Sequence, residues 1–205
     1  MTLTVQHAGE TAPVDITITR AEITSPSVTW RMLPNQVAMI HLNQFAERSG
    51  DELKQALTDA RQQGAASIVL DLRNNPGGYV NELVAVASQF LPADTTVLLE
   101  QNRAGDQTPY KTTAGGVATD LPLVVLVNNN SASSAEILAG ALKDAGRARL
   151  IGDPTFGTAT VLRTFNLNDG AQVRIGTTQW LTPKGEVVRG KGIQPDERVS
   201  LAPEA

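Results

Sequence analysis

The sequence contains no cysteine and only two histidines, His7 and His41, among its 205 residues. The absence of cysteine excludes disulfide bonds, thiolate metal sites and a cysteine nucleophile, and it leaves the cellular compartment open. No apolar run approaches the length of a membrane span. There is no signal-peptide pattern, because Met1 leads straight into "TLTVQHAGE". If the natural protein is exported, we therefore expect this sequence to represent a fragment of it.

An excess of positive charge is missing as well. The net charge is -4 and the calculated isoelectric point is about 5.2, which argues against a nucleic-acid-binding protein. Hydrophobic residues make up 41% of the chain and charged residues 19%, as in soluble globular proteins that bury a core. The length suits one large domain, or a domain together with part of another.

The middle of the chain alternates predicted strands and helices. Continuous apolar runs predict buried strands of the parallel kind at "ASIVLDL" and "LPLVVLV", and "TTVLLEQN" predicts a further strand. Amphipathic patterns predict helices at "SGDELKQALTDARQQG", with a capping box at Ser49 and Glu52, at "VNELVAVASQFL" and at "SAEILAGALKDAG". The Gly-rich segment "RAGDQTPYKTTAGGVATD" predicts a mobile surface loop or a hairpin. With alternating β-hairpin patterns at both ends, the fold class is α/β.

Two loops of small residues follow buried strands, where sites form in α/β sheets. The first is "DLRNNPGG", from Asp71 to Gly78, and the second is "NNNSASSAE", from Asn128 to Glu136. Consecutive glycines let a ligand approach the backbone amides closely. A serine at a helix N-terminus can attack a carbonyl only if a base removes its proton. Each loop alone is also typical of an ordinary turn between a strand and a helix.

Taken together, these segments resemble the C-terminal processing peptidases, also called tail-specific serine proteases. The resemblance rests on "ASIVLDLRNNPGGYVNELVAVASQFLP", "SASSAEILAGALKDAGRARLIGDPTFG", "LNDGAQVRIGTTQWLTPKG" and "GKGIQPD", and covers roughly residues 25–196. It implies a core of the ClpP/crotonase-like type over residues 23–205. Residues 1–22, through "ITITRAEI", are similar to the last strands of the PDZ domain that precedes this core, and the rest of that domain is absent.

The resemblance implies roles for residues of both loops. The family's serine turn reads Ser-Ala-Ser-Ala-Ser-Glu with the nucleophile in third place, which is Ser133 here. Ser131 and Glu136 match their positions, while Ser134 and Ala135 are exchanged relative to the family's order. The oxyanion donors implied are the amide of Ser134 and one amide of the Gly77 and Gly78 pair, and the sequence leaves open which glycine.

The base that the family uses is missing. Its lysine lies 25 residues after the serine, in Thr-Phe-Gly-Lys-Gly, and a glutamine one helical turn later orients it. Those positions are Thr158 and Leu162 here, and the glycine after the lysine is Ala159. A threonine hydroxyl does not titrate near neutral pH, and losing general-base help costs roughly 10²–10⁴ in rate. Three changes together fit a natural lineage that lost or relocated the dyad.

Other residues are candidates for a relocated base, but an ordinary structural role accounts for each of them. Lys143 fits a solvated lysine near a helix C-terminus, and Lys111 belongs to the polar segment that could cover the site. Histidine is a competent base, but His41 fits a half-buried strand residue. The remaining candidates have weaker claims: Lys184 and Lys191 in turns, His7 in the N-terminal hairpin, and Asp71 with Arg73, which we expect to brace the glycine loop.

Three hypotheses follow. The chain is a serine peptidase that cleaves polypeptides near unstructured C-terminal ends, or a catalytically inactive pseudo-peptidase that binds peptides or acts as a scaffold, or a fragment that is inactive only because most of the PDZ domain is missing. The resemblance implies no cofactor and no metal. It implies a polypeptide as substrate or bound tail, no nucleic acid, a second copy or a regulatory protein as a further partner, and an extracytoplasmic location (periplasm, cell envelope or secreted).

Overall fold

The computed structural model describes residues 1–21 and 25–200. Within them the strands are β1 (Thr2–Val5), β2 (Val14–Thr17), β3 (Val28–Leu33), β4 (Val37–Leu42), β5 (Ser67–Asp71), β6 (Thr96–Gln101), β7 (Gln107–Lys111), β8 (Leu123–Val127), β9 (Arg149–Gly152), β10 (Thr160–Asn166), β11 (Gln172–Leu181) and β12 (Glu197–Arg198). The helices are α1 (Ser49–Gln62), α2 (Val80–Ala87) and α3 (Ser134–Asp144), and a short 3₁₀ turn covers Pro34–Gln36. The chain is therefore a mixed α/β protein, as its strand and helix patterns predict.

A six-stranded sheet forms the centre, in the order β12-β9-β8-β5-β4-β3. All neighbouring strands in it are parallel except β3 and β4. These two are antiparallel and are joined by the tight turn at residues 34–36. The apolar runs of β5 and β8 lie side by side, as expected of parallel strands, with Leu70 opposite Val125. Because the carboxyl ends of β5 and β8 meet at one edge of the sheet, the two loops that follow them are brought together.

The three helices share one hydrophobic core with the sheet. Ile40, Leu70 and Val125 from the strands are fully buried with Leu57 of α1 and Leu138 of α3. Helix α3 is the most enclosed, since every residue from 134 to 142 is buried, as expected of a helix that is apolar nearly all round. No helix in the described ranges is long and apolar enough to span a bilayer.

A second sheet interrupts the alternation of strands and helices. Strand β6 does not join the central sheet but pairs antiparallel with β7 and β11, giving the order β10-β11-β6-β7. The polar segment after β6 therefore forms a hairpin through β7, the second of its two predicted conformations. Gln101 and Gln179 also join their side chains across β6 and β11. This pairing connects residues far apart in the chain, so no local pattern reveals it.

The segment that leads into the core is held by a half-buried carboxylate. The predicted capping box at Ser49 and Glu52 is wrong: Oε2 of Glu52 accepts hydrogen bonds from the amides of Ser27 and Val28 and from the Ser27 hydroxyl. Strands β1 and β2 form a separate two-stranded antiparallel sheet before this point. The predicted domain boundary between residues 22 and 23 lies outside the described residues.

Candidate functional site

The serine turn presents Ser133 in a strained backbone conformation. Ser133 is the residue immediately before α3, with φ 55° and ψ −120°, in a region that residues other than glycine rarely adopt. Its amide donates a hydrogen bond to Oε2 of Glu136 three residues later (3.0 Å), at the spacing of a capping box. Ser133 is half-buried, whereas Ser131 and Ser134 on either side are buried. Of the three serines, Ser133 is therefore the one that solvent reaches.

The glycine loop lies directly against this turn. A Cβ atom on Gly77, whose φ is +94°, would lie 2.7 Å from Cβ of Ser133 and 2.8 Å from the amide nitrogen of Ser134. A Cβ atom on Gly78 would lie 2.1 Å from the carbonyl oxygen of Phe45. Such distances exclude any side chain without a shift of the backbone. Both glycines are thus required for the loop to approach the serine turn and the segment after β4.

The hydrogen bonds of this loop distinguish the two glycines. The Gly77 amide donates to Oδ1 of Asn75 (2.8 Å) and is therefore occupied. The amides of Gly78 and Ser134 donate to no acceptor within the described residues. A Cβ atom on Gly77 would lie 2.8 Å from the Ser134 nitrogen, and the Gly78 carbonyl accepts the Ser134 hydroxyl (3.0 Å), so both unoccupied N–H groups belong to the contact between the glycine loop and the serine turn. The loop geometry thus favours Gly78 over Gly77 as a donor to an incoming oxygen atom.

Asn75 holds both loops in place, a role that no local sequence pattern indicates. Its side chain is fully buried, and Nδ2 donates to the carbonyl of Leu42 at the end of β4 (2.7 Å). The carbonyl of Asn75 accepts the Ala132 amide of the serine turn (2.9 Å). On the exposed side of this contact, Oδ1 of Asn74 accepts hydrogen bonds from the side chains of Asn128 and Asn130. The two turns are consequently one hydrogen-bonded unit.

Glu136 joins the serine turn to the segment that contains Thr158. Its carboxylate is fully buried, and Oε1 accepts the Thr155 hydroxyl (2.5 Å) and the Gly157 amide (2.6 Å). Oε2 accepts the Thr158 amide (2.8 Å) in addition to that of Ser133. Four donors on one buried carboxylate make a strong connection, because hydrogen bonds to charged groups exceed neutral ones in strength. The only sequence signal for it is its place three residues after a helix-capping serine.

Of the two positions that the resemblance assigns to a lysine and a glutamine, one adjoins Ser133. The amides of Thr158 and Ser133 share one carboxylate oxygen, so the backbone of Thr158 lies beside the serine turn. Leu162 lies further along, on β10 opposite Gly176 and after a β-bulge, and its side chain is 52% exposed. The structure thus connects Ser133, Ser134, Gly77, Gly78 and Thr158 through direct contacts or a shared partner.

Three of the lysines that could serve as a base pair with other groups. Nζ of Lys143 binds the Gln194 carbonyl (2.7 Å) and Asp196 (3.0 Å), at the opposite end of α3 from Ser133, about 15 Å away at the rise of an α-helix. Lys111 pairs with Asp94 (2.9 Å). Lys184 lies 4.0 Å from Asp144, again at the far end of α3. Lys191 lines a cavity at that same end of the helix, and His7 lies in the exposed turn between β1 and β2.

His41 belongs to a different part of the molecule. Its Nδ1 lies 3.4 Å from Oδ2 of Asp71, and it lines a cavity of about 420 Å³ with Asp71 and Arg73 that Ser133 does not line. Burial by itself raises the pKa of Asp71, but hydrogen bonds from the side chain and amide of Arg73 outweigh it, so the pKa of Asp71 lies below its usual value. This carboxylate is therefore charged at neutral pH and braces the end of β5.

The fold and the site define the class of protein: an α/β protein with a strained serine at a helix N-terminus beside a glycine loop. The family description "Peptidase family S41" matches residues 36–199, and the chain belongs to that family. It is 40% identical over 203 residues to the carboxyl-terminal-processing protease of Synechocystis sp., which covers 97% of this chain. It is 37% identical over 200 residues to a probable CtpA-like serine protease of Staphylococcus saprophyticus, again covering 97% of this chain.

Solved structures agree with this assignment. The photosystem II D1 C-terminal processing protease superposes with a TM-score of 0.80 at 30% identity, over 92% of this chain. A lipoprotein from Streptococcus agalactiae shares the fold, with a TM-score of 0.70 at 23% identity, over 86% of this chain and 66% of its own. The chain spans 47% and 40% of the two curated relatives and 52% of the D1 processing protease. It therefore corresponds to about half of such a protein.

Substituting Gly77 tests the close approach of the two loops. Gly77→Ala places a methyl group against Ser133 and the Ser134 amide, whereas Gly64→Ala, at a similar φ of +86°, meets nothing within 4 Å. Both variants carry the cost of a left-handed backbone, about 1–2 kcal/mol. We expect Gly77→Ala to lose about 1–3 kcal/mol more in the free energy of unfolding, because of overpacking, as measured by urea denaturation. Equal losses would contradict the contact.

Substituting Glu136 tests the carboxylate that joins the two segments. In Glu136→Gln the amide nitrogen faces two N–H or O–H donors and accepts from neither. We expect a loss of about 3 kcal/mol or more in the free energy of unfolding, as for breaking a buried charged network, and faster amide hydrogen exchange at Gly157 and Thr158. Glu47→Gln is the matched control, since Glu47 is exposed, and its unfolding should stay within about 0.5 kcal/mol of the parent.

Proposed function

We propose that this chain is the catalytic core of a C-terminal processing serine peptidase, which cleaves polypeptides near unstructured C-terminal ends. Ser133 is the nucleophile, and the amides of Ser134 and Gly78 form the oxyanion hole. The observation that carries the proposal is that the Ser134 and Gly78 amides donate to no acceptor in the part of the chain that the structure describes, next to a strained and half-buried serine. The names of the relatives, a carboxyl-terminal-processing protease and a D1 C-terminal processing protease, support the substrate class.

The geometry suits acyl transfer. Oγ of Ser133 adds to the scissile carbonyl, and the negative charge that develops on the carbonyl oxygen receives hydrogen bonds from the two amides. The positive end of the α3 dipole lies at the same point and favours that charge. The bond to the amine then breaks, and the amine departs with the proton that the Ser133 hydroxyl has lost. Water hydrolyses the ester on Ser133 and returns the enzyme to its starting state.

The proton transfers are the weak step. Thr158 occupies the position of the family's lysine and cannot accept a proton near neutral pH. Glu136 does not replace it, because its oxygens already accept four hydrogen bonds, one of them from the Ser133 amide. We therefore propose that turnover is slow, reduced by about 10²–10⁴ through the missing general base, unless another segment supplies one.

A second candidate is a peptide-binding pseudo-peptidase. The observation that favours it is the pair Thr158 and Leu162, the first beside the serine turn and the second largely exposed. In this alternative the same amides bind a polypeptide carbonyl and no bond is cleaved. The chain then serves to hold a tail or to act as a scaffold.

The N-terminal hairpin supports the proposed domain division, with residues 1–22 as the last strands of a PDZ domain and residues 23–205 as a core of the ClpP/crotonase-like type. Leu3 pairs with Ile16 and Val5 with Val14, which places these apolar side chains on one face, and Leu3 and Ile16 are each 40% exposed. A lone two-stranded hairpin is marginally stable in water. We propose that further PDZ strands cover this face in the whole protein and deliver substrate there, so the chain alone can be less active than a longer form.

By analogy with the family, we propose an extracytoplasmic location: the periplasm, the cell envelope or the medium. A second copy or a regulatory protein is proposed as an additional partner, on the same analogy alone.

The nucleophile is tested by incubating the chain with an unstructured polypeptide and following fragments by mass spectrometry. We expect slow cleavage near the C-terminal end of the polypeptide, and we expect Ser133→Ala to abolish it. Ser131→Ala is measured as a neighbouring control, because the Ser131 hydroxyl donates to the Leu72 carbonyl. Cleavage that continues unchanged in Ser133→Ala would refute the assignment. Binding of the polypeptide without any cleavage would favour the pseudo-peptidase.

Restoring the missing pair tests the role of position 158. Since Glu136 holds the Thr158 amide beside Ser133, Thr158→Lys combined with Leu162→Gln should place an amine near the serine hydroxyl. We expect a rate gain of about 10² or more, which increases with pH because only the neutral amine is a base. Thr164→Lys, on the exposed part of β10, is the control. If the double variant gains nothing while Ser133 still cleaves, position 158 is not the site of a base.

A further inference from the structure

A small polar pocket next to the candidate site contains two arginines without acidic partners. The pocket has a volume of about 320 Å³ and is lined by Arg103, Arg189, Thr160, Thr177 and six further residues, none of them acidic. Within the described ranges, neither arginine has a carboxylate within 4.0 Å. Two guanidinium groups that share one pocket without a counter-charge repel each other, and an anion between them would be stabilised.

One residue of the pocket lining carries a buried hydroxyl without a partner in the described part of the chain. Oγ1 of Thr177 is buried and has no hydrogen-bond partner within the described residues, and Thr177 lines the pocket. A buried polar group without a partner costs free energy that a ligand can recover. The hydroxyl is a donor, and so are both guanidinium groups, so the three match an acceptor such as a carboxylate.

Two acidic residues of the hairpin that carries Arg103 accept hydrogen bonds from other groups. Oε1 of Glu100 accepts the Thr178 hydroxyl, and Oε2 accepts the Tyr110 hydroxyl. Oδ2 of Asp106 accepts from the side chain of Asn102. The larger cavity at the far end of α3, about 1250 Å³, has acidic residues in its lining, and there Lys143 pairs with Asp196 and Lys184 with Asp144. The absence of acidic residues from its lining therefore distinguishes the small pocket.

The pocket is connected to the candidate site by two short links. Thr160 lies two residues after Thr158, about 7 Å along an extended chain, and the Thr158 amide shares the Glu136 oxygen with Ser133. On the other side, the Gly157 carbonyl accepts the amide of Gly190 (2.9 Å), the residue that follows Arg189. A peptide seated at Ser133 could reach the pocket with its next few residues.

We propose that this pocket binds a carboxylate of the polypeptide, through Arg103, Arg189 and the Thr177 hydroxyl. The assignment deepens the proposed function and rests on it. The carboxylate comes from the free C-terminus of the polypeptide or from an acidic side chain near it, and both present the same two oxygens. Bound there, the carboxylate fixes how far from the C-terminus the polypeptide meets Ser133.

The experiment measures binding rather than turnover, in Ser133→Ala, by fluorescence anisotropy of fluorescein-labelled unstructured peptides. Three peptides of the same length are compared: one with a free C-terminal carboxylate, one with a C-terminal amide, and one amidated but carrying an aspartate near its end. The protein variants are Arg103→Gln, Arg189→Gln and Thr177→Val. Arg174→Gln is the matched control, since Arg174 is an exposed arginine of β11 that does not line the pocket.

We expect the free-acid peptide to bind about tenfold more tightly than the amide, the factor that corresponds to one charge-assisted pair at a partly exposed site. Each arginine variant should remove most of that difference, and Arg174→Gln should not. Thr177→Val should weaken binding severalfold without lowering the urea midpoint, because it removes an unsatisfied hydroxyl. If the aspartate peptide binds as tightly as the free acid with the same arginine dependence, the carboxylate chemistry holds and the pocket accepts a carboxylate from either source.

Equal binding of the acid and amide peptides, or binding unaffected by both arginine variants, would overturn the assignment while the peptide cleft at Ser133 stands. If no peptide binds at all, the pocket and the proposed function of this chain fail together. Loss of binding in Arg174→Gln as well would also overturn it, because general positive charge rather than this pocket would then explain the affinity.

Discussion

The buried carboxylate of Glu136 is the interaction on which the geometry of the candidate site depends. It takes a full negative charge into the core, which is unfavourable unless every oxygen lone pair has a donor. The Thr155 hydroxyl and the amides of Ser133, Gly157 and Thr158 supply those donors. Because they come from two separate segments of the chain, neither segment can move without leaving the charge partly unsatisfied. The strain at Ser133 is sustained in the same way.

This arrangement does not require a lysine at position 158. Glu136 binds the backbone amide of Thr158 and not its side chain, so the segment keeps its place whichever residue occurs there. Asn75 likewise secures the glycine loop through its side chain and its carbonyl, independently of any proton transfer. The fold of an S41 core can therefore be retained without a lysine at this position, and both a slow peptidase and a binding module are physically consistent with this chain.

Much of the fold could be predicted from local patterns. The apolar runs before the two loops and the amphipathic helices are encoded in adjacent residues, and the chain's place in peptidase family S41 follows from the same segments. The capping box at Ser49 was predicted wrongly, because the Glu52 carboxylate accepts hydrogen bonds from the amides of Ser27 and Val28 instead of capping its own helix. The place of β6 in a second sheet was not predictable, since its partners β7 and β11 are chosen by long-range pairing.

For the site, the sequence by itself determined which residues are candidates: Ser133 before a helix, the Gly77 and Gly78 pair after a strand, and a threonine where a lysine is expected. Tertiary structure alone decided that these loops touch, that the Gly77 amide is occupied by Asn75 while that of Gly78 is not, and that Lys143 and His41 lie elsewhere. The reason is physical. Residue type and spacing specify local backbone conformation, whereas the occupation of a donor and the distance between loops depend on packing between residues far apart in the chain.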